Sequence, residues 1–202
     1  MDYKTNNKQV YDENAQEFEE RTKDYITTYI LEDAELFITS LSGKRILDLG
    51  SGPGRDSIFF KNRGLNPLCL DISPEMIKLC EQKELEAIVG DLENIPFSKE
   101  SFDGVWAYAS ILHVPKDKIS QVIIKVNQIL RSNGIFYCGM KEGDFEGFIE
   151  SDKYHGSKRF CSLYRDEDIR KILTSQFDIF HTSRVQSRDD VYLNYLCKKK
   201  SL

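Results

Sequence analysis

Apolar positions follow two different periods along this chain. From Thr5 to Ser40 they recur at helical spacing, which predicts helices in that segment. Beyond Gly43, short apolar runs alternate with helical stretches. The runs predict seven strands, at 45–49, 67–70, 86–89, 102–108, 135–140, 177–185 and 191–197. The helices between them are predicted at 55–63, from 74 onward, at 116–130 and at 165–174.

The order of these elements predicts an α/β fold. Strands that alternate with helices form parallel βαβ units, with helices on both faces of the sheet. The last two strands are separated by a short polar turn at 187–190, which is typical of an antiparallel hairpin. We therefore expect a single doubly wound, Rossmann-like domain, with a mostly parallel seven-stranded sheet and a C-terminal antiparallel hairpin.

A glycine-rich turn at 46–56 (ILDLGSGPGRD) links the first strand to a helix. Gly50, Gly52 and Gly54 allow the backbone to approach a ligand closely. The helix that begins at Arg55 directs its free N–H groups and the positive end of its dipole toward that ligand. Because ligands of an open parallel sheet bind beyond the carboxyl ends of the strands, this turn predicts a nucleotide-like ligand there.

Acids at the next strand ends extend the site. Asp71 lies about twenty residues beyond the turn, where a carboxylate accepts both hydroxyls of a ribose. Asp91 can hold the amino group of a base while the Leu92 backbone N–H donates to a ring nitrogen, and Ile72 and Met76 can sandwich a purine. A lone glycine triplet is often only a turn, and a lone Asp is often only a cap. Together these features predict an adenosine-containing ligand.

The segment from about Lys44 to Gly139 resembles the class I S-adenosylmethionine-dependent methyltransferases, in particular their small single-domain members. The residues that carry the resemblance are Asp48-x-Gly50-x-Gly52-x-Gly54, Asp71, Gly90-Asp91-Leu92, 101–114 (SFDGVWAYASILHV) and 129–139 (ILRSNGIFYCG). One departure is Ser132-Asn133-Gly134, where the family often has Pro-Gly-Gly. Asn-Gly makes a comparable turn, so the departure does not change the interpretation.

The resemblance implies S-adenosylmethionine as cofactor and S-adenosylhomocysteine as product. It also implies that backbone at Gly50 and Ala107 holds the methionine amino group and that Asp48 reaches it through water. Arg55 would pair with the carboxylate of the donor; the alternative is an ordinary surface arginine. Tyr11 would close over the donor; the alternative is an aromatic residue that only packs its helix against the domain. The predicted cofactor-binding set is Tyr11, Asp48, Gly50, Ser51, Gly52, Gly54, Arg55, Asp71, Ile72, Met76, Asp91, Leu92 and Ala107.

The expected reaction is direct in-line methyl transfer to a small-molecule acceptor. Such a transfer depends on positioning, and it needs a general base only if the nucleophile arrives protonated. His113, His155 and Tyr164 are candidate bases because they lie in loops expected to face the site. Motifs that mark other kinds of methyltransferase are missing from the sequence. They are the Asn/Asp-Pro-Pro-Tyr tetrapeptide of adenine- and glutamine-N-methylating enzymes, the Pro-Cys nucleophile of cytosine C5 enzymes and the acidic magnesium triad of catechol-type enzymes. We therefore expect neither covalent catalysis nor a metal.

The pattern divides the chain into four segments of one domain, 1–202. These are an N-terminal helical lid (1–42), a cofactor-binding core (43–140), a substrate loop (141–164), and a helix with the terminal hairpin (165–202). The substrate loop is the candidate specificity element, because loops of this length in compact domains are usually functional. Its aromatic and basic residues suit a small organic substrate, including an acidic one, and its mixed charges fit a solvated loop equally well.

Composition excludes several classes of protein. With 40% hydrophobic and 30% charged residues, the chain is typical of a globular protein, and its net charge of -5 argues against a nucleic-acid partner. No apolar run is long enough to span a bilayer and the N-terminus is polar, so we expect a cytoplasmic protein without a membrane partner. The five cysteines form no Cys/His cluster, which favours reduced thiols.

Three alternatives remain open at this stage. An NAD-dependent oxidoreductase shares the glycine-rich turn and Asp71, but G-x-G-x-G spacing, Asp91 and the terminal hairpin argue against it. A tRNA or protein methyltransferase would have the same fold with a different partner. The third is a binding or partner-activating module without catalysis. The sequence leaves the methyl acceptor and the oligomeric state undetermined.

Overall fold

The computed structural model describes residues 2–150, 155–187 and 190–200. Nine strands are present in these ranges: β1 (Arg45–Leu49), β2 (Asn66–Asp71), β3 (Glu86–Val89), β4 (Phe102–Tyr108), β5 (Leu130–Lys141), β6 (Glu146–Glu150), β7 (Lys158–Ser162), β8 (Phe177–Ser187) and β9 (Asp190–Lys199). The α-helices there are α1 (Tyr3–Glu13), α2 (Ala15–Thr22), α3 (Leu31–Ser40), α4 (Arg55–Lys61), α5 (Pro74–Gln82), α6 (Ile119–Ile129) and α7 (Asp166–Thr174). A π-helical turn (Ile26–Ile30) and a 3-10 turn (Ile111–His113) complete the regular structure of this part of the chain.

The main sheet has the order β3-β2-β1-β4-β5-β9-β8. Strands β1 to β5 pair in parallel, whereas β9 is antiparallel to both of its neighbours, β5 and β8. The predicted α/β fold with a C-terminal antiparallel hairpin is confirmed. The chain leaves β1 toward β2 on one side and returns to β4 on the other. A ligand crevice is therefore expected at the carboxyl ends of β1 and β4.

Strand β4 is buried along its whole length, and its side chains divide the core in two. Val105 and Ala107 belong to one apolar cluster, which includes helix α6. Trp106 and Tyr108 belong to the other, which includes Phe37 of α3. A strand covered by helices on both faces has no polar side, which explains why it appears in the sequence as a continuous apolar run.

Helix α3 is attached to the hairpin through a buried acid. Asp33, 3% exposed, accepts hydrogen bonds from His181 Nε2 at 2.9 Å and from the Ser183 hydroxyl at 2.5 Å, both on β8. The Tyr137 hydroxyl donates to the same carboxylate at 3.3 Å. A buried carboxylate is stable only when its oxygens are bonded in this way. The N-terminal helices are thus held against the sheet by polar as well as apolar contacts.

The prediction of an uninterrupted loop at 141–164 was wrong. Strands β6 and β7 form a two-stranded antiparallel ribbon within it, and residues 151–154 lie outside the described part. Strand β6 alternates between exposed and half-buried positions, so it lacks the apolar run that revealed the strands of the main sheet. Strand β5 also begins earlier than predicted, at Leu130, because Leu130 already pairs with Phe102 of β4. Asn133, with a left-handed φ of +62°, lies in the irregular stretch that follows.

Candidate active site

A cavity of about 590 Å³ lies at the carboxyl edge of the sheet. Its size is typical of small-molecule sites. Of the thirteen predicted cofactor-binding residues, those that line it are Tyr11, Asp48, Gly50, Ser51, Gly52, Arg55, Asp71, Ile72, Met76, Asp91 and Leu92. The topology thus brings segments that are distant in sequence to one cavity.

The first turn after β1 makes close backbone contacts. Gly50 has φ +76°, and its N–H donates to the Leu70 carbonyl at 2.7 Å. A Cβ atom at this position would lie 2.3 Å from Cβ of Ser110, and the Ser110 hydroxyl donates to the Leu49 carbonyl at 2.5 Å. Glycine is therefore required here both by the backbone conformation and by the space available.

Gly54 has a different role from the one predicted. It is the N-cap of α4 with φ +79°, and a Cβ atom there would lie 2.6 Å from the Leu85 side chain. Gly54 does not line the cavity. Its lack of a side chain allows α4 to pack closely against the segment before β3.

Asp71 is held by two backbone amides. One carboxylate oxygen accepts from the Gly52 N–H at 2.8 Å and the other from the Ser73 N–H at 2.9 Å. Burial raises the pKa of Asp71 to about 6, although the two N–H donors act in the opposite direction and the Asp12 charge adds to the rise. Since each carboxylate oxygen can accept two hydrogen bonds, both keep capacity for a further donor.

Asp91 contacts the first helix. One of its oxygens accepts from the Glu93 N–H at 2.9 Å, and the other lies 2.7 Å from the ammonium group of Lys4 in α1. Lys4 also lies 3.1 Å from Glu93. Nothing near Lys4 in the sequence predicted this contact, because it depends on how α1 packs across the strand ends.

Two acids lie below the turn. Asp48 is buried and accepts from the Ser57 hydroxyl at 2.7 Å; burial, and then the charge of Asp56, raise its pKa well above the usual range. Asp56 pairs with the Arg55 guanidinium and accepts from Trp106 Nε1 at 2.8 Å. The Arg55 side chain is only 16% exposed, so it is not a surface arginine, and its charge is compensated within the site.

His113 forms a hydrogen-bonded chain with the N-terminal helix and the ribbon. Its Nδ1 lies 2.7 Å from the Phe160 carbonyl and its Nε2 lies 2.8 Å from the Tyr11 hydroxyl, which is 2.6 Å from the Arg159 guanidinium. A carbonyl can only accept, so Nδ1 carries the proton and Nε2 accepts from Tyr11. Burial, and then the charge of Arg159, lower the pKa of His113 to about 3. This neutral imidazole positions Tyr11 and is a poor proton acceptor.

The structure places three predicted residues away from the cavity. His155 is 77% exposed and lies 3.0 Å from Glu17, and Tyr164 is 3% exposed but is not part of the cavity wall. Ala107 is fully buried within β4, and the cavity wall begins at the following residues, Tyr108 and Ala109.

Several cavity residues were missed by the sequence interpretation. They come from the N-terminal helices and the hairpin: Lys4, Asn7, Phe18, Arg21, Tyr25, Tyr29 and Tyr192. Arg159, by contrast, belongs to the predicted substrate loop and does line the cavity. The signal available in the sequence was the clustering of tyrosines around 25–29, which helical periodicity assigned to packing.

No cluster of metal-ligating side chains occurs among residues 2–150, 155–187 and 190–200. The five cysteines, all within the described ranges, are buried and free of disulfides. Every helix in the same ranges is too short or too polar to cross a membrane.

Comparison with known proteins relates the chain to methyltransferases. A family described as methyltransferase domain matches residues 47–138. The chain is 34% identical over 124 residues to the phthiotriol/phenolphthiotriol dimycocerosates methyltransferase of Mycobacterium leprae (strain TN), covering 56% of this chain and 44% of that protein. The chain spans about half or less of the length of the curated relatives it matches.

Solved structures support the fold over nearly the whole chain. Magnesium protoporphyrin IX methyltransferase from Synechocystis PCC 6803, solved with bound SAM, superposes with a TM-score of 0.77 at 17% identity, covering 99% of this chain and 98% of that one. The Burkholderia thailandensis 1,6-didemethyltoxoflavin-N1-methyltransferase superposes with a TM-score of 0.71 at 18% identity, covering 96% and 88%. At these identities the likeness shows the fold alone.

The matched segment 47–138 contains the glycine-rich turn, Asp71 and Asp91. It also contains the carboxyl ends of the four strands that border the cavity. Residues 47–138 therefore match the methyltransferase domain family, and the chain has the fold of solved S-adenosylmethionine-dependent methyltransferases.

Proposed function

We propose that this protein transfers a methyl group from S-adenosylmethionine to a small-molecule acceptor by direct in-line displacement. One observation carries the proposal: Gly50, Asp71 and Asp91, from three separate strand ends, line the same cavity. Gly50 provides a backbone position close to the ligand, and Asp71 and Asp91 provide hydrogen-bond acceptors. An adenosine-containing sulfonium requires both kinds of group.

The residues present fit this cofactor. Asp71 keeps acceptor capacity on both oxygens for two ribose hydroxyls, and Asp91 with the Leu92 N–H suits an adenine edge. Gly50 lines the cavity at the first turn, and Arg55, paired with Asp56, lies in the wall beside it. The bound cofactor supplies an electrophilic methyl group on a sulfonium.

The contribution of the chain to the reaction is positional. The acceptor lone pair forms a bond to the methyl carbon while the carbon–sulfur bond breaks and its electron pair passes to sulfur. Holding the acceptor in line and excluding water accounts for up to roughly 7–11 kcal/mol of the barrier in favourable systems. His113 stays neutral and hydrogen-bonded to Tyr11 and to a carbonyl, so we assign it to positioning. An acceptor that arrives protonated releases its proton to solvent.

A small acceptor is supported by the size and lining of the cavity. The N-terminal helices and the β6–β7 ribbon contribute Tyr11, Tyr25, Ile149 and Arg159 to its wall. A nucleic-acid substrate would need a basic surface, whereas the net charge is -5. A relative named for phthiotriol/phenolphthiotriol dimycocerosates and a solved structure named for 1,6-didemethyltoxoflavin are consistent with a small acceptor.

Calorimetric titration tests the cofactor assignment. We expect S-adenosylhomocysteine to bind and NADH not to bind, with Asp71→Ala weakening the former; binding of NADH alone would refute the proposal. An assay of S-adenosylhomocysteine formation across a metabolite panel then tests the acceptor. Turnover with tRNA or a protein but with no metabolite would redirect the function to a macromolecular substrate.

A further inference from the structure

Four tyrosines from separate parts of the chain meet on one wall of the cavity. Tyr25 immediately precedes the π-helical turn, Tyr29 lies within it, Tyr108 ends β4 and Tyr192 lies near the start of β9. The Tyr25 ring centroid is 4.7 Å from that of Tyr29 and 5.1 Å from that of Tyr108, and the Tyr108 and Tyr192 centroids are 5.5 Å apart. π-Helical turns are rare and occur frequently at functional sites.

These phenols are neutral hydrogen-bonding groups. The Tyr108 hydroxyl donates to the Tyr25 hydroxyl at 2.5 Å. Burial raises the pKa of Tyr25 and raises that of Tyr108 well above its usual value. Both therefore keep their protons at neutral pH. The wall presents ring surfaces and hydroxyls to the cavity without carrying charge of its own.

The charged groups beside this wall compensate one another. The Arg55 guanidinium lies 5.1 Å from the Tyr25 ring centroid and 5.9 Å from that of Tyr108, and it is paired with Asp56. The Lys141 ammonium lies 2.5 Å from Asp190. Because Arg55 already occupies the cation position over two rings, the wall is not an aromatic cage for an ammonium ligand. Because both cations are paired, an anionic ligand gains little either.

The wall also borders the end of the cavity where methyl transfer would occur. Tyr108 ends β4 and Ala109 follows it, and the next residue, Ser110, lies against Gly50 of the first turn. Arg55, which begins α4, contacts the Tyr108 ring. If the methionine part of the donor lies along Gly50 and Arg55, as in the proposed function, then the four rings flank its methyl group.

We propose that Tyr25, Tyr29, Tyr108 and Tyr192 form the acceptor subsite, and that its ligand is a planar, uncharged aromatic compound with a hydroxyl or ring-nitrogen nucleophile. Ring surfaces at this spacing favour offset or edge-to-face contact with a further aromatic ring. The phenol hydroxyls can bond the polar substituent and orient it. This inference rests on the proposed function, because the donor defines which side of the cavity receives the acceptor.

Calorimetry in saturating S-adenosylhomocysteine tests the subsite with four probes that differ in aromatic character and in charge. They are β-naphthol, its saturated counterpart decahydro-β-naphthol, β-naphthoate and tetramethylammonium. The variants are Tyr192→Ala and Tyr192→Phe. Phe180→Ala is the matched control, since Phe180 is an exposed aromatic residue outside the cavity wall. S-Adenosylhomocysteine affinity is measured for every variant to verify that the site is folded.

We expect β-naphthol to bind at least about tenfold more tightly than each of the other three probes. Tyr192→Ala should weaken the binding of β-naphthol by about tenfold and leave the binding of S-adenosylhomocysteine intact. Tyr192→Phe and Phe180→Ala should change the binding of β-naphthol by less than threefold. The subsite is overturned if β-naphthol does not bind, if another probe binds as tightly, or if Tyr192→Ala has no effect. Failure of the wild-type protein to bind S-adenosylhomocysteine would overturn the proposed function itself and the subsite with it.

Discussion

Lys4, in the first turn of α1, places its ammonium group 2.7 Å from a carboxylate oxygen of Asp91, which follows β3. Helix α1 makes two further attachments to the cavity edge. Asp12 accepts from the Ser73 hydroxyl at 2.6 Å, and Tyr11 bonds to His113. A helix fixed at three points across the strand ends forms part of the cavity wall. Exchange of the cofactor then requires at least some of these contacts to open.

Replacing Lys4 with Met should increase the rate of S-adenosylhomocysteine dissociation several-fold and weaken its binding by less than about fivefold. The modest size follows from the partial exposure of the Lys4–Asp91 pair, since such pairs contribute roughly 0.2–1 kcal/mol. Stopped-flow displacement measures the rate. Lys78→Met, which removes an exposed pair with Glu75 outside the cavity wall, is the control and should leave the rate unchanged. Equal rates in both variants would mean that Lys4 does not restrain α1.

The affinity for S-adenosylhomocysteine should fall as the pH decreases below about 6. Burial raises the pKa of Asp71 to about 6, so the carboxylate proposed to accept the ribose hydroxyls becomes protonated in that range. Calorimetry from pH 5 to 8 measures the profile. Asp71→Asn should bind roughly 10- to 150-fold more weakly, the usual effect of losing hydrogen bonds to a charged group, and its profile should be flatter.

A companion variant separates Asp71 from its neighbour. The Asp12 charge contributes to the raised pKa of Asp71, so Asp12→Asn should move the midpoint of the binding profile to lower pH. A midpoint that is unchanged in Asp12→Asn, or that persists in Asp71→Asn, would assign the titration to another group.

Gly50→Ala and Gly64→Ala form a matched pair. Both glycines have positive φ, +76° and +82°, so alanine is strained at either position by about 1–2 kcal/mol. The added Cβ atom would meet Ser110 at 2.3 Å in Gly50→Ala but would have no neighbour within 4 Å in Gly64→Ala. Urea unfolding should show a larger decrease in the free energy of unfolding for Gly50→Ala than for Gly64→Ala. Gly50→Ala should also lose S-adenosylhomocysteine binding. Binding by Gly50→Ala with wild-type affinity would contradict the close approach assigned to this turn.

His113 should make the protein less stable in mild acid. Its pKa is lowered from 6.5 to about 3 in the folded protein, so between these values the unfolded chain binds a proton that the folded protein does not. The free energy of unfolding should therefore decrease as the pH falls from 7.5 to 5, and the decrease should be smaller for His113→Asn. Urea unfolding at the two pH values measures both. A decrease of equal size in the variant would show that His113 is protonated in the folded protein.

The main sheet could be predicted because its strands are buried on both faces. β4 is a continuous apolar run in the sequence, and Ser73 bonds the Met76 N–H as the N-cap that Ser-Pro predicts. The β6–β7 ribbon was missed for the opposite reason. One face of β6 is exposed, so charged and apolar residues alternate over too few positions to be distinguished from a loop.

The residues of the candidate site also differ in how far the sequence predicts them. Asp71 and Asp91 directly follow predicted strands, and the parallel topology alone brings them together. Tyr25, Tyr192 and Arg159 approach the cavity only through packing of the N-terminal helices, the hairpin and the ribbon. No local pattern specifies such contacts. The part of the cavity proposed for the donor was therefore predicted from the sequence, whereas most of the part proposed for the acceptor required the structure.

Strand β9 lies between β5 and β8, and its pairing with β5 begins where Lys141 meets Tyr192. The βαβ units that form the donor side connect neighbours in sequence, whereas this pairing closes a long loop and is entropically costly to nucleate. We therefore expect insertion of β9 to be a late folding event. A partly folded chain would then have its glycine-rich turn and Asp71 in place before Tyr192 reached the cavity, so cofactor recognition would precede acceptor recognition during folding.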